Sequence, residues 1–327
     1  MPTPSSATRP FRRLIVSEAG AGMRLDLWLS KRFSCLSRTA AARHVRDGEI
    51  ESEWRELKGS NRMREGEPIR VFVPGLAPDG APPPLPEILY EDDRVLVFNK
   101  PPGMLAHPAG DRFTWALIGL AKDARPDDHM DLVHRLDRDT SGVLVLTKDG
   151  AANATLKATF KSRASDLRKE YLAIVHGEVP WDERVTQAPM GDLRTSEVRL
   201  RRGVVPGGLI ARTTFTVLKR MDGLSLVRCL LHTGRTHQIR VHLEHEGHPI
   251  VGDRLYGQPD AIFLEWFERG DTPMVRSAVG FPRQCLHAWR LRLPHPEGGT
   301  VDLEAPLPDD MRALIDGAPP AWPPEDS

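Results

Sequence analysis

A proline-rich stretch sets the first limit on what this chain can fold into. Between Pro74 and Pro86 lie Pro74, Pro78, Pro82, Pro83, Pro84 and Pro86, with Gly75 and Gly80 among them. Each proline fixes φ and removes a backbone donor, so neither a helix nor a sheet can run through such a segment. The stretch reads as a linker over 75–86, and its position predicts a small domain at 12–74, a large one at 87–309 and a Pro-rich C-terminal tail at 310–327. Length agrees, because 327 residues exceed the roughly 100–200 of a single domain.

The small domain carries the basic charge. Lys plus Arg and Asp plus Glu balance at 45 each over the whole chain, yet residues 9–46 hold nine Lys and Arg against Glu18 and Asp26. Leu25, Trp28 and Leu29 recur at helical spacing, and Ser37 is placed to cap a second helix that Gly48 ends. On that second helix Arg43 and Arg46 share one face, while Ala40, Ala41 and Val45 can turn inward. Ile50 and the run Ile69–Val73 read as strands. Such a surface is either a solvated arginine face or a contact for nucleic acid.

In the large domain, β-branched runs recur between turn residues: Val95–Phe98, Val143–Thr147, Tyr171–Val175, Thr214–Leu218 and Ser225–Leu230. Helices are fewer. One is expected at 150–162 behind Asp149, and another at 237–246 between a cap at Thr236 and Gly247. Strands outnumber helices and do not alternate with them, which predicts an α+β fold with a mixed, mainly antiparallel sheet.

Export and membrane insertion are not expected. Cys35, Cys229 and Cys285 are odd in number and widely spaced, which fits a reducing cytoplasm better than a disulfide framework. Leu14–Val16 is too short for a signal peptide's apolar region. No apolar run approaches the roughly 20 residues that span a bilayer.

Three segments concentrate chemistry. His134-Arg135-Leu136-Asp137-Arg138-Asp139-Thr140-Ser141-Gly142 runs straight into a strand, and its aspartates either cap turn amides or do catalytic work. Thr233-Gly234-Arg235-Thr236-His237-Gln238-Ile239-Arg240-Val241-His242-Leu243 reads equally as an amphipathic helix with Ile239 and Leu243 buried and Arg240 paired to Glu244. Lys169-Glu170-Tyr171 opens a strand, where Tyr171 is either a half-buried aromatic or a site residue. The arginines at 194, 199, 201 and 202 either track phosphate or decorate a solvated hairpin.

Together these segments closely resemble the RluA-type pseudouridine synthases. The resemblance extends to Gly247-His248-Pro249-Ile250-Val251-Gly252-Asp253, Tyr256-Gly257, Lys100-Pro101-Pro102-Gly103 with His107-Pro108, and Leu286-His287-Ala288, and it spans roughly residues 86–310. The small domain is similar to the alpha-L RNA-binding motif in Arg24-Leu25-Asp26, Ser37-Arg38, Gly48 and Gly66-Glu67, though Glu51–Arg55 replaces the family's usual turn after the strand.

The resemblance implies the pseudouridine synthase fold and an isomerase that detaches uracil from ribose and rejoins it through carbon-5, acting on structured RNA and needing no cofactor. It implies Asp137 as the essential carboxylate, Arg240 as its ion-pair partner and Tyr171 as the aromatic beneath the target base. Arg135, Arg138, His107, Arg235, His237 and Ile239 are the expected substrate contacts, and Arg38, Arg43 and Arg46 those of the N-terminal domain. Large-subunit ribosomal RNA is the expected partner and transfer RNA the alternative; no obligate protein partner is implied.

Two other classes compete on residues alone. A metal-dependent hydrolase could draw on Asp137, Asp139 and the histidines at 232, 237, 242, 245 and 248, but His242-Leu243-Glu244-His245 is not the zinc-helix spacing. A catalytically silent RNA-binding factor would not need Asp137, Tyr171 and Arg240 together.

Overall fold

The computed structural model describes residues 12–33, 36–72, 82–107, 115–162, 166–320 and 322. Contacts divide the chain into two compact units, one of Met1–Leu85, Met104–Arg135 and Leu146–Asn153, the other of Pro86–Gly103, Leu136–Val145 and Ala154–Ser327. Division in space therefore does not follow the linear order of the chain, since 104–135 and 146–153 pack with the N-terminal residues. Of the proline-rich linker, residues 75–81 lie outside the described residues, as does Cys35, and 82–86 have no regular structure.

The first unit begins with strand β1 (Arg12–Ile15), helices α1 (Leu25–Arg32) and α2 (Arg38–Arg46), and strands β2 (Ile50–Ser52) and β3 (Pro68–Val71). The strands form a sheet in the order β1-β3-β2, antiparallel throughout. Leu25, Leu29, Ala41, Ile50, Ile69 and Val71 share one core. Ser37 caps α2 by accepting the Ala40 amide at 3.1 Å, and Gly48 leaves the helix with φ +70°. With Ala41 and Val45 inward, Arg38, Arg43 and Arg46 stay exposed.

The chain continues through β4 (Ile88–Glu91), β5 (Val95–Lys100), α3 (Leu117–Ala124), β6 (Asp131–Leu132), β7 (Ser141–Thr147), α4 (Gly150–Ser162), β8 (Arg168–His176) and β9 (Glu183–Thr186). Next come β10 (Met190–Asp192), β11 (Arg202–Val204), β12 (Thr213–Met221), β13 (Leu224–Leu231), α5 (Gln238–His245), α6 (Asp260–Arg269) and α7 (Pro273–Val279). The last elements are β14 (Leu286–Pro294), β15 (Thr300–Glu304) and α8 (Asp309–Ile315).

The second unit is built on a sheet in the order β4-β5-β7-β14-β8-β13-β12-β9, with β15 beside β14. The pairs β8–β13, β8–β14, β9–β12 and β12–β13 are antiparallel and β7–β14 is parallel, the mixed, mainly antiparallel α+β arrangement expected. Ala173, Ile174, Val227, Phe215 and Leu243 lie in its core. Asp149 caps α4 as expected, accepting the Ala151 and Ala152 amides at 2.8 and 2.9 Å. None of the helices among the described residues is long and apolar enough to cross a membrane.

Two expectations are corrected here. The chain beyond 309 is not merely a tail, because α8 buries Met311 and Leu314 against the core of the second unit. Nor does Thr236 cap α5: the N-cap residue is His237, with left-handed φ 59° and ψ 18° and no side-chain cap.

Candidate active site

Asp137 sits in the loop between β6 and β7, and its neighbours hold that loop from several sides. Thr140 and Ser141 are buried, and Gln284 Nε2 donates to Thr140 Oγ1 at 2.7 Å. Ser141 Oγ lies 2.9 Å from His287 Nδ1, and the Lys100 ammonium donates to the Arg138 carbonyl at 2.8 Å. Lys100 is fully buried, and that burial lowers its pKa to about 7 against the opposing pull of Asp139 and Asp137.

Gly142 brings β7 close to β14. At φ +107°, a Cβ built there would lie 2.1 Å from the Ala288 carbonyl oxygen, so only glycine fits. The strand pairing then sets Ser141 opposite His287 and Gly142 opposite Ala288. Across the neighbouring strands, Tyr171 is in register with Ala288 on one side and Cys229 on the other.

Arg240 comes from α5. It is buried rather than turned to solvent, and Glu244, its expected alternative partner, instead accepts from Arg201 at 2.8 Å. Arg240 Nη1 donates to Asp137 Oδ2 at 2.8 Å, the ion pair that the resemblance implies. Its other edge donates from Nε and Nη2 to Asp253 at 2.7 and 2.9 Å. Asp253 is itself fixed by the Leu255 and Tyr256 amides at 2.9 and 3.1 Å. The guanidinium is thus clamped by a buried carboxylate and presents its remaining nitrogen to Asp137.

That charge decides the state of Asp137. Burial, the largest influence, would push its carboxyl up; the Arg240 charge and the hydrogen bonds from Arg240 and Gln284 together overcome it, so the carboxyl lies below the ordinary range. The carboxylate nevertheless keeps 32% of its side chain exposed, so a substrate atom can reach it. Tyr171 behaves oppositely: burial first, and then the charge of Asp137, raise its phenol, which stays protonated at neutral pH.

The remaining expected site residues fall in different places. His237 contacts the carboxylate region, its Nε2 3.8 Å from Asp137 Oδ1. Ile239 is buried in the hydrophobic core against which Tyr171 packs. Arg138 is exposed, donates to Asp139 at 3.0 Å and lies over the Trp266 ring at 4.8 Å. Arg235 donates to the Ile210 carbonyl at 3.2 Å. Arg135, exposed, and His107, half-buried, belong to the first unit. Arg201 donates to Asp260 at 2.6 Å and to Glu244 at 2.8 Å.

Reading the sequence residue by residue did not single out Asp253, Tyr256, Gln284 or Lys100 for a role. Their signal was present for Asp253, Tyr256 and Lys100 in the motif segments, but a motif does not say which member touches which. His242 and His232 are engaged elsewhere, by Thr213 and the Ala188 carbonyl in one case and by Thr214 in the other.

Residues 94–245 match the family model described as RNA pseudouridylate synthase. The ribosomal large subunit pseudouridine synthase D of Nitrosomonas europaea is 35% identical over 311 residues, covering 92% of this chain and 86% of that protein. The protein of the same name in Neisseria meningitidis is 38% identical over 306 residues, covering 90% and 78%. Among solved structures, human RNA pseudouridylate synthase domain containing 1 aligns with a TM-score of 0.56 at 26% identity, covering 76% of this chain and 95% of that one. This chain belongs to the RluA-type pseudouridine synthases, isomerases that convert uridine in RNA to pseudouridine.

Proposed function

We propose that the chain isomerises uridines of large-subunit ribosomal RNA in the cytoplasm, with Asp137 as the essential carboxylate. The observation that carries this reading is the Asp253–Arg240–Asp137 chain, which keeps a solvent-reachable carboxylate ionised and aimed before substrate arrives. Relatives named ribosomal large subunit pseudouridine synthase D support the choice of RNA. The free, buried thiols of Cys229 and Cys285 support a reducing compartment.

In this reading a stacked uridine is extruded toward Asp137 at a cost of a few kcal/mol, which contacts from Arg138 and Arg235 offset. Tyr171, a neutral phenol, supplies a face on which uracil rests after the bond to ribose breaks. The anionic Asp137 stabilises or captures the electron-poor sugar carbon. Replacing Asp137 with Ala is expected to abolish pseudouridine formation while RNA affinity changes less than about threefold. Undiminished product from that variant would overturn the assignment. Mapping pseudouridine across total RNA from cells with and without the protein tests the substrate, and a missing site in transfer RNA instead of ribosomal RNA would transfer the assignment there.

The residues at 12–74 act in this proposal as an alpha-L-type RNA-binding domain, with Arg38, Arg43 and Arg46 facing phosphate from α2. Neutralising two of them, Arg43→Gln with Arg46→Gln, should weaken binding to folded RNA and make the slope of log K against log salt shallower by about 2. An unchanged slope would remove α2 from the interface.

A further inference from the structure

Among the described residues His237 is the one non-glycine residue with positive φ, at 59°. A left-handed backbone is unfavourable for a residue with a Cβ and persists where the surroundings over-determine it. Helix capping does not account for it here, because the His237 side chain makes no cap hydrogen bond. The imidazole instead lies between two partners. Its Nδ1 is 2.9 Å from the Tyr256 hydroxyl, and its Nε2 is 3.8 Å from Asp137 Oδ1. The His237 and Tyr256 rings meet edge to face, 5.6 Å apart at 81°.

Hydrogen-bond direction along this chain can be followed atom by atom. The Arg202 amide donates to the Tyr256 oxygen at 3.0 Å. A phenol keeps one hydrogen to donate, and His237 Nδ1 at 2.9 Å can accept it, whereas a proton on Nδ1 would turn the Nε2 lone pair toward the Asp137 carboxylate. Tyr256 cannot lose this hydrogen near neutral pH, because burial raises its phenol. Burial, and then the charge of Arg240, lower the imidazole to about 4, with Asp137 and Asp253 opposing and Arg202 adding to the shift. A neutral ring that accepts at Nδ1 carries its proton on Nε2, the nitrogen facing Asp137.

We propose that His237 is a positioning residue for Asp137: its Nε2–H, fixed in that tautomer by Tyr256, is a neutral donor that orients Oδ1 while Arg240 holds Oδ2. The proposal rests on the reading of Asp137 as the reactive carboxylate. The 3.8 Å gap exceeds a hydrogen bond and closes when substrate completes the site, a common difference between free and occupied active sites. A neutral donor orients one oxygen without adding a second cation that would weaken the carboxylate as base or nucleophile. The chain also joins the backbone of β11 to the carboxylate, through Tyr256 and His237. His237 in this scheme acts on Asp137, not as an RNA contact.

Nitrogen-15 NMR of the histidine-labelled full chain reads the tautomer directly. The wild type should show the His237 proton on Nε2, and Tyr256→Phe, which keeps the ring but removes the hydroxyl, should lose that preference. In kinetics on a minimal RNA, Tyr256→Phe and His237→Asn should each lower kcat about tenfold, the scale of one hydrogen bond, with KM within about twofold. Asparagine is chosen because it tolerates the left-handed backbone. A wild-type proton on Nδ1, a wild-type kcat in Tyr256→Phe, or a raised KM at unchanged kcat would each overturn the proposal. An Asp137→Asn control separates the two readings. Inactive Asp137→Asn beside unaffected Tyr256→Phe rejects this inference alone, whereas active Asp137→Asn rejects the assignment of Asp137 and this inference with it.

Discussion

Arg240 is where a single side chain has the largest consequences. Its side chain is 9% exposed, and its guanidinium faces two carboxylates, one fully buried and one reaching solvent. Removing a partner from a buried charge leaves the charge uncompensated, so Asp253→Asn should destabilise the fold by about 3–5 kcal/mol, read as a lower urea midpoint. A loss below about 1 kcal/mol would mean that Asp137 alone compensates Arg240. Arg240→Lys should fare little better, because an ammonium cannot fork to Asp253 and reach Asp137 at once. At this scale Asp137, Tyr171 and Arg240 stand out in the sequence as motif members. Their pairing does not: Glu244, four residues along the same helix, is the local choice for Arg240, and Asp253 wins only because folding buries both.

Among elements, local signals worked where the cause is local. Ser37 and Asp149 cap α2 and α4 because a side-chain oxygen can reach amides two or three residues on, whatever the rest of the chain does. The β-branched runs became β5, β7, β8, β12 and β13 for the same reason. Thr236 failed as a cap because the turn before α5 is set by partners of His237 that lie elsewhere in the chain. Close approach of β7 and β14 makes a sharper test. Gly142→Ala should cost at least about 2 kcal/mol and lower kcat, since the Cβ would displace Ala288 and with it the loop carrying Asp137. Gly223→Ala is the control, because φ there is +66° but no atom lies within 4 Å, and only the backbone strain of about 1–2 kcal/mol remains. Equal losses in the two variants would show that strain, not the clash, dominates.

The whole molecule carries a pH dependence that follows from its buried imidazoles. His237 and His287 are both lowered to about 4, His287 by burial first, while unfolded histidines bind protons near 6.5. Between those values the unfolded chain binds more protons than the native one, so stability must fall as pH drops from about 6.5 toward 4, by up to about 1.4 kcal/mol per pH unit for each group. The depressed carboxyl of Asp137 adds a loss in the same direction, but below the ordinary carboxylate range. Urea midpoints at pH 7, 6 and 5 should decline, and the decline should be shallower in His287→Gln. A flat profile would mean that both imidazoles take up protons in the folded protein as they do in the unfolded chain.

By itself the sequence determined the family, the α+β class and the caps at Ser37 and Asp149, because each depends on residue type and spacing along the chain. It left open the partner of Arg240, the turn at His237, the helix formed by Asp309–Ile315 and the grouping of 104–135 with the N-terminal residues. These depend on which distant groups become buried together. A buried charge takes the carboxylate that burial leaves beside it, and Met311 and Leu314 form a helix face because the sheet offers them a core to cover.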